Sequence, residues 1–210
     1  MQLTIETARA LYEEGDSVHD FDHILRVLRL AERIGQAEGA EMSVVRTATL
    51  LHDWGRVHAR TSGADHAQVA ASFAREFLDG EPSAWVEAVV HAIAAHRFRT
   101  SPVPATLEAQ VLFDADKLDA IGAIGVARAF AYGGAQGQRL WAPLESVDVE
   151  RWQIAGDNPA AHTPVHEFVV KLRRIKGRLF TETGRALAEE RHRYMVQFYR
   201  RLEAEVRGEM

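Results

Sequence analysis

Residues 47–55 read TATLLHDWG, an apolar segment that ends in a histidine and an aspartate side by side, His52 and Asp53. Val44, Val45, Ala48 and Leu51 recur at helix spacing ahead of the pair, with Ser43 as the expected N-cap and Gly55 as the expected stop. Adjacent helix residues point about 100° apart. They do not face one another, yet an ion in the wedge between them is within reach of both. A carboxylate at a helix C-terminus is opposed by the helix dipole, and a nearby cation offsets that cost. Taken alone, the pair reads better as an ordinary helix-terminal histidine and aspartate.

The companions decide. His23 sits in HDFDHILRV (19–27), with core-like Ile24 and Leu25 beside it, and by itself reads as a partly buried, hydrogen-bonded histidine. Asp116 sits in LFDADKLDAIGAIG (112–125) among Leu112, Phe113, Ala115 and Leu118. A carboxylate in apolar surroundings needs a charge partner or hydrogen bonds. Lys117 and a metal ion are both candidates for Asp116, and the metal is favoured. Two imidazoles and two carboxylates suit a borderline or hard divalent ion. Such an ion polarises a phosphoryl oxygen and activates water.

Helical periodicity runs outward from this core. Phe21, Ile24, Leu25, Leu28 and Ala31 form one stripe between Gly15 and Gly39, and Val69, Phe73 and Phe77 mark another that stops near Gly80. Pro82 opens the next helix, with Trp85, Val86, Val89, Val90 and Ile93 on its apolar side. SPVP at 101–104 breaks the chain, and one long helix is expected to carry Leu107, Val111, Leu112, Leu118 and Ile121, with Gly122 and Gly125 inside it for close backbone packing. Residues 133–162 read as a long connection, partly ordered over the site. Thr163 as N-cap and Pro164 as first helical residue lead into HEFVVKLRRIKGRLF, and a last helix is expected from Thr181 through Leu202. No alternating segment calls for a sheet. The expectation is an all-α fold in a single domain.

The bulk numbers agree. The chain has 210 residues, 47% hydrophobic and 26% charged, as expected of a soluble globular protein. The absence of cysteine excludes disulfides, thiolate metal sites and cysteine nucleophiles. A net charge of −5 argues against broad nucleic-acid binding. Neither a signal peptide nor an apolar run approaching ~18 residues is visible, so a cytoplasmic location without a membrane span is expected.

Other residues can take part. His66, His91 and His96 lie on neighbouring helices and read as hydrogen-bonding or phosphate-facing groups; a second metal ion is the alternative reading. Asp119, one turn beyond Asp116, either orients a ligand or faces solvent. His19 and Asp20 can orient His23, and Asp20 can equally cap the helix. Lys171, Arg173, Arg174, Lys176 and Arg178 form a basic run that is either a solvated face or a source of phosphate contacts, with Lys171 and Arg174 one turn apart.

With these residues in hand, the chain resembles the HD-domain superfamily of metal-dependent phosphohydrolases, in the order His23, His52-Asp53, Asp116. It more closely resembles a bacterial subfamily that includes nucleoside triphosphate pyrophosphohydrolases. HDFDHILRV, LLHDWG, AIAAH, LFDADKLDAIGAIGVARAF and KLRRIKGRLFTETGRALAEERHRYM carry that likeness over most of residues 16–200. The resemblance implies one HD helical bundle over 1–210, with a metal-site core at about 16–130 and C-terminal helices at about 163–205. It implies one divalent ion held by His23, His52, Asp53 and Asp116. Manganese is favoured over magnesium, nickel, iron or zinc. Two open octahedral positions would take water and a phosphate oxygen. The implied reaction converts a nucleoside or deoxynucleoside triphosphate to monophosphate and pyrophosphate. The rivals are a nucleotide monophosphatase or cyclic-nucleotide phosphodiesterase on the same site, and a non-catalytic nucleotide-binding module. Asp53, Asp119 and His96 are the candidate catalytic bases; Lys117, Lys171, Arg174, His66 and His91 are the candidate substrate contacts. A small-molecule nucleotide is the expected partner, and homo-oligomerisation stays open.

Overall fold

The computed structural model describes residues 3–12, 21–56, 59, 63–97, 102–147 and 162–210, and every regular element among them is helical. In chain order the α-helices are α1 (Ile5–Arg9), α2 (Phe21–Glu38), α3 (Met42–Leu51), α4 (His66–Phe77), α5 (Ser83–Ala94), α6 (Leu107–Asp119), α7 (Gly122–Ala135), α8 (Pro164–Val170) and α9 (Glu182–Val206). Two 3-10 helices, Leu144–Ser146 and Leu172–Arg178, complete the set. No described helix is long and apolar enough to cross a membrane. The contacts group the chain into two compact units, Met1–Asp116 with Leu179–Gly184, and Lys117–Arg178 with Arg185–Met210.

In the first unit α2 packs on α3, α3 on α5, and α4 on α5. Val44, Val45, Ala48 and Leu51 are buried as their spacing requires, and so are Ile24, Leu28 and Ala31 of α2. Helix α4 differs from its sequence reading. Its buried face is Ala67, Ala70, Ala71 and Ala74, while Val69, Phe73 and Phe77 are only half-buried. Small side chains on the inner face let two helices approach closely, so the large residues sit at the edge, where Phe73 stacks on Trp54 with ring centroids 3.5 Å apart.

Several boundaries shift for local reasons. Helix α3 is capped by Glu41, whose side chain accepts from the Ser43 N–H, and not by Ser43 itself. Gly55 does end the HDWG turn, with φ +77. The single long helix expected from Leu107 onward is broken after Asp119: Gly122 has φ +80, outside helical space, and opens α7. Gly125 is where close packing rules, since a Cβ there would lie 2.3 Å from the Ala120 carbonyl oxygen.

Helix α7 continues to Ala135, so the connection expected from Gly133 begins later, and Leu144–Ser146 adds a turn of 3-10 helix. Residues 148–161, and with them the expected cover over the site, lie outside the described residues. Thr163 and Pro164 begin α8 as expected, with the Thr163 hydroxyl accepting from the His166 N–H, but the α-helix stops at Val170 and the basic run is 3-10 helix. Lys171 and Arg174 therefore do not share an α-helical turn; Lys171 is the residue between the two helices. The last helix runs from Glu182 to Val206, four residues longer at its C-terminal end than expected.

Candidate metal centre

The first unit gathers four imidazoles and two carboxylates from five separate segments. His23 is the third residue of α2, and His52 is the C-cap of α3 with Asp53 in the turn that follows. His66 begins α4, His96 follows the C-cap of α5, and Asp116 lies in the last turn of α6. Three groups pin the HDWG turn from outside. The Trp54 indole N–H donates to the Leu11 carbonyl at 3.0 Å, the Tyr12 hydroxyl donates to the Leu50 carbonyl at 2.9 Å, and Phe73 stacks on Trp54.

The donor atoms converge. One ligand atom each from His23, His52 and Asp53 lie within 4.8 Å of one another, and all three residues are buried. That spacing suits ligands around one ion at roughly 2.1 Å each. Asp116 Oδ1 lies 3.5 Å from His23 Nε2 and 4.0 Å from His52 Nε2, and His23 Nε2 lies 3.6 Å from Asp53 Oδ2. Asp53, His66 and His96 form a second group that shares Asp53. His66 Nε2 is 3.5 Å and His96 Nε2 3.7 Å from Asp53 Oδ1.

Ring orientation is fixed from the backbone. His52 Nδ1 donates to the Thr49 carbonyl at 2.8 Å, and His96 Nδ1 donates to the Ile93 carbonyl at 2.6 Å. A carbonyl can only accept, so Nδ1 carries the proton in both rings and a neutral ring keeps its Nε2 lone pair for the site. Burial, with His96 and His23 nearby, pushes the His52 imidazole down to about 4 despite Asp53 and Asp116. Burial likewise pushes His66 down to about 4. Both are neutral at neutral pH, the form that binds a metal. Burial alone would push the Asp53 carboxyl up, but the imidazoles around it, His52 first, and the Arg56 guanidinium hold it well below the usual carboxylate range. Arg56 stands 2.7 Å from Asp53 Oδ2.

His52 Nε2 and Asp53 Oδ1 are buried without a hydrogen-bond partner among the described residues. Buried polar atoms are normally satisfied. A cation here would satisfy both, and an all-nitrogen-and-oxygen donor set fits a divalent ion. The residues present therefore fit the group that the sequence implied.

The other candidates are placed as follows. His91 is outside this cluster; its Nε2 accepts from the Ala105 N–H at 3.1 Å. Asp119 is buried, not solvent-facing, and its carboxylate meets Arg128 at 2.8 Å in the second unit. Lys171 Nζ holds Glu167 Oε1 at 2.6 Å. Lys117 and Arg174 also belong to the second unit. His19 and Asp20 lie outside the described residues. Sequence reasoning missed Arg56, whose position three residues after Asp53 was the available signal, and the two backbone carbonyls that set the rings, for which no side-chain signal exists.

Comparison with known proteins places the chain among HD-domain proteins. The HD domain family model matches residues 20–121. An uncharacterized Bacillus subtilis protein, YpgQ, is 34% identical over 204 residues, covering 95% of this chain and 90% of that protein. The crystal structure of YpgQ in complex with ADP superposes with a TM-score of 0.71 at 32% identity, covering 96% of this chain and 92% of that one. An HD-superfamily hydrolase from Bacillus thuringiensis gives a TM-score of 0.70 at 29% identity, over 97% of this chain and 94% of that one.

Proposed function

This chain belongs to the HD-domain superfamily of hydrolases, and we propose that it is a metal-dependent phosphohydrolase that cleaves a nucleoside or deoxynucleoside triphosphate to monophosphate and pyrophosphate. The observation that carries the reading is the pair of buried acceptors, His52 Nε2 and Asp53 Oδ1, without a hydrogen-bond partner among the described residues and set among His23 and Asp116. The nucleotide is supported by the B. subtilis relative, whose crystal structure is in complex with ADP. The pyrophosphate-releasing step rests on the sequence resemblance.

His23, His52, Asp53 and Asp116 would hold the ion, with manganese favoured for a mixed nitrogen and oxygen shell. When bound, a divalent ion supplies Lewis acidity to a phosphoryl oxygen and a lowered pKa to water. The chain supplies the rest. Asp53 stays anionic, with the Arg56 guanidinium 2.7 Å from its Oδ2 favouring the charge. His96 can accept a proton at Nε2, since its Nδ1–H is committed to Ile93. Asp119 is the weaker candidate base, because Arg128 engages its carboxylate. His66, 17% exposed at the side chain, stands at the rim, where it can meet a phosphate oxygen. One ion is the favoured content; the Asp53–His66–His96 group is where a second would sit.

A screen of nucleotides with each divalent metal, with products resolved, tests the proposal. A triphosphate should give monophosphate and pyrophosphate in equal amounts. Release of orthophosphate alone, or ring opening of a cyclic nucleotide alone, would replace it with a monophosphatase or a phosphodiesterase. Tight nucleotide binding without turnover under every metal would replace it with a binding module.

A further inference from the structure

The second unit holds a cavity of about 320 Å³ lined by Leu144 of the first 3-10 helix, α8, the second 3-10 helix and α9. His192, Val196, Tyr199 and Arg200 line it from α9, a spacing that puts them on one helical face. Phe168 and Tyr199, both in the lining, stack with centroids 4.2 Å apart and planes 16° from parallel. The Tyr199 hydroxyl already donates to the Pro164 carbonyl at 3.2 Å, so this residue offers its ring.

The rim is cationic and its charges have not been matched. Arg173 and Arg200 line the cavity, yet neither has an ion-pair partner among the described residues. Four of the carboxylates of α8 and α9 are committed elsewhere. Glu167 holds Lys171 at 2.6 Å, Glu189 holds Lys176 at 2.9 Å, Glu205 holds Arg201 at 2.5 Å and Glu203 holds Arg207 at 3.0 Å. His192, also in the lining, has a buried Nδ1 with no hydrogen-bond partner among the described residues. Buried ring nitrogens are normally satisfied, and guanidinium groups recognise carboxylates and phosphates.

We infer that this cavity binds a small anion carrying a flat apolar body, an aromatic carboxylate or phosphate. Arg173 and Arg200 meet the anionic head, His192 Nδ1 takes or gives one hydrogen bond, and the ring lies on the Phe168–Tyr199 stack. The volume is at the small end of ligand pockets, about that of ten waters in the liquid. It suits a single ring with its head group. The site is separate from the metal cluster in its residues and needs no metal. It also absorbs part of the basic run that the phosphohydrolase reading left unused.

The test is calorimetric titration of the full chain, in chelator, with phenyl phosphate, benzoate and inorganic phosphate. One of the two ring-bearing anions should bind saturably at one site, and which one does so identifies the head group. Inorganic phosphate should bind at least about tenfold more weakly. Arg173→Ala and Arg200→Ala should each weaken the ring-bearing ligand by about tenfold or more, Val196→Phe should block it by filling the cavity, and Asp53→Ala should leave it unchanged. Both arginines are exposed, so their variants keep the fold. The inference is overturned if neither ring-bearing anion binds, if both arginine variants bind as the parent does, or if Asp53→Ala abolishes binding.

Discussion

His52 Nδ1 donates to the carbonyl of Thr49, one turn back, at 2.8 Å, and this bond decides which nitrogen of His52 is left for the site. Its Nε2 lies 4.0 Å from Asp116 Oδ1 and has no hydrogen-bond partner among the described residues. The backbone of α3 thus holds a neutral imidazole in the tautomer a metal needs, before any ion arrives.

The same burial makes the metal-free protein acid-sensitive. His52 and His66 are pushed from 6.5 to about 4. Between those values the unfolded chain binds protons that the folded chain does not, so stability is full above pH 6.5 and falls as pH drops toward 4. The slope is roughly 1.4 kcal/mol per pH unit for each histidine. Urea unfolding in chelator at pH 7, 6 and 5 measures it, and His66→Gln should remove about half of the slope. A flat profile would contradict the burial of neutral histidines.

Arg56 tests electrostatic compensation. Its guanidinium, 2.7 Å from Asp53 Oδ2, offsets a buried negative charge. Arg56→Ala should destabilise the metal-free form by about 1–3 kcal/mol and the metal-loaded form by less, because an ion supplies the missing positive charge. Thermal unfolding with chelator and with manganese reads the difference. Equal losses in both would mean that Arg56 acts by packing alone.

The four ligand candidates were legible in the sequence because their chemistry is unusual for their surroundings. His23 and Asp116 sit beside core residues, and His52-Asp53 ends an apolar helix. What was not legible depends on contacts made at long range. Asp114 and Asp116 are two positions apart on α6, about 200° around a helix, and nothing local to Asp114 shows that Phe180 and Thr181, far along the chain, close on its carboxylate. Asp119 looked as much like a surface residue as a ligand-orienting one, until Arg128 was found against it. In α4 the large apolar residues suggested the wrong inner face, because the small alanines that permit close packing carry little signal of their own.

Asp114 is expected to be structural. Fully buried, its carboxylate accepts from the Phe180 N–H, from the Thr181 N–H at 2.8 Å and from the Thr181 hydroxyl at 2.7 Å. Asp114→Ala leaves these donors buried and unsatisfied and should cost about 3 kcal/mol or more. Arg75→Ala, which breaks an exposed pair with Glu87, should cost far less, because a solvated ion pair contributes little to stability. Chemical denaturation of both variants compares them, and similar losses would contradict the role assigned to Asp114.

The basic run has a kinetic signature if it meets phosphates. Lys171 would then leave Glu167, its present partner. Lys171→Ala and Arg174→Ala should lower kcat/KM for a triphosphate by about tenfold or more relative to a matched monophosphate analogue. Equal changes for both substrates would place these residues on a solvated face.

The most direct measurement is made on Asp53, which belongs to both donor groups. The parent protein and Asp53→Ala are stripped with chelator and reloaded with manganese. Bound metal, helical content and pyrophosphate release from a nucleoside triphosphate are then measured on the same samples. The parent should bind about one ion per chain and release pyrophosphate only when loaded. Asp53→Ala should keep its helical content and lose both metal and turnover. Full metal-dependent release by Asp53→Ala would contradict the assignment of this cluster as the catalytic metal centre.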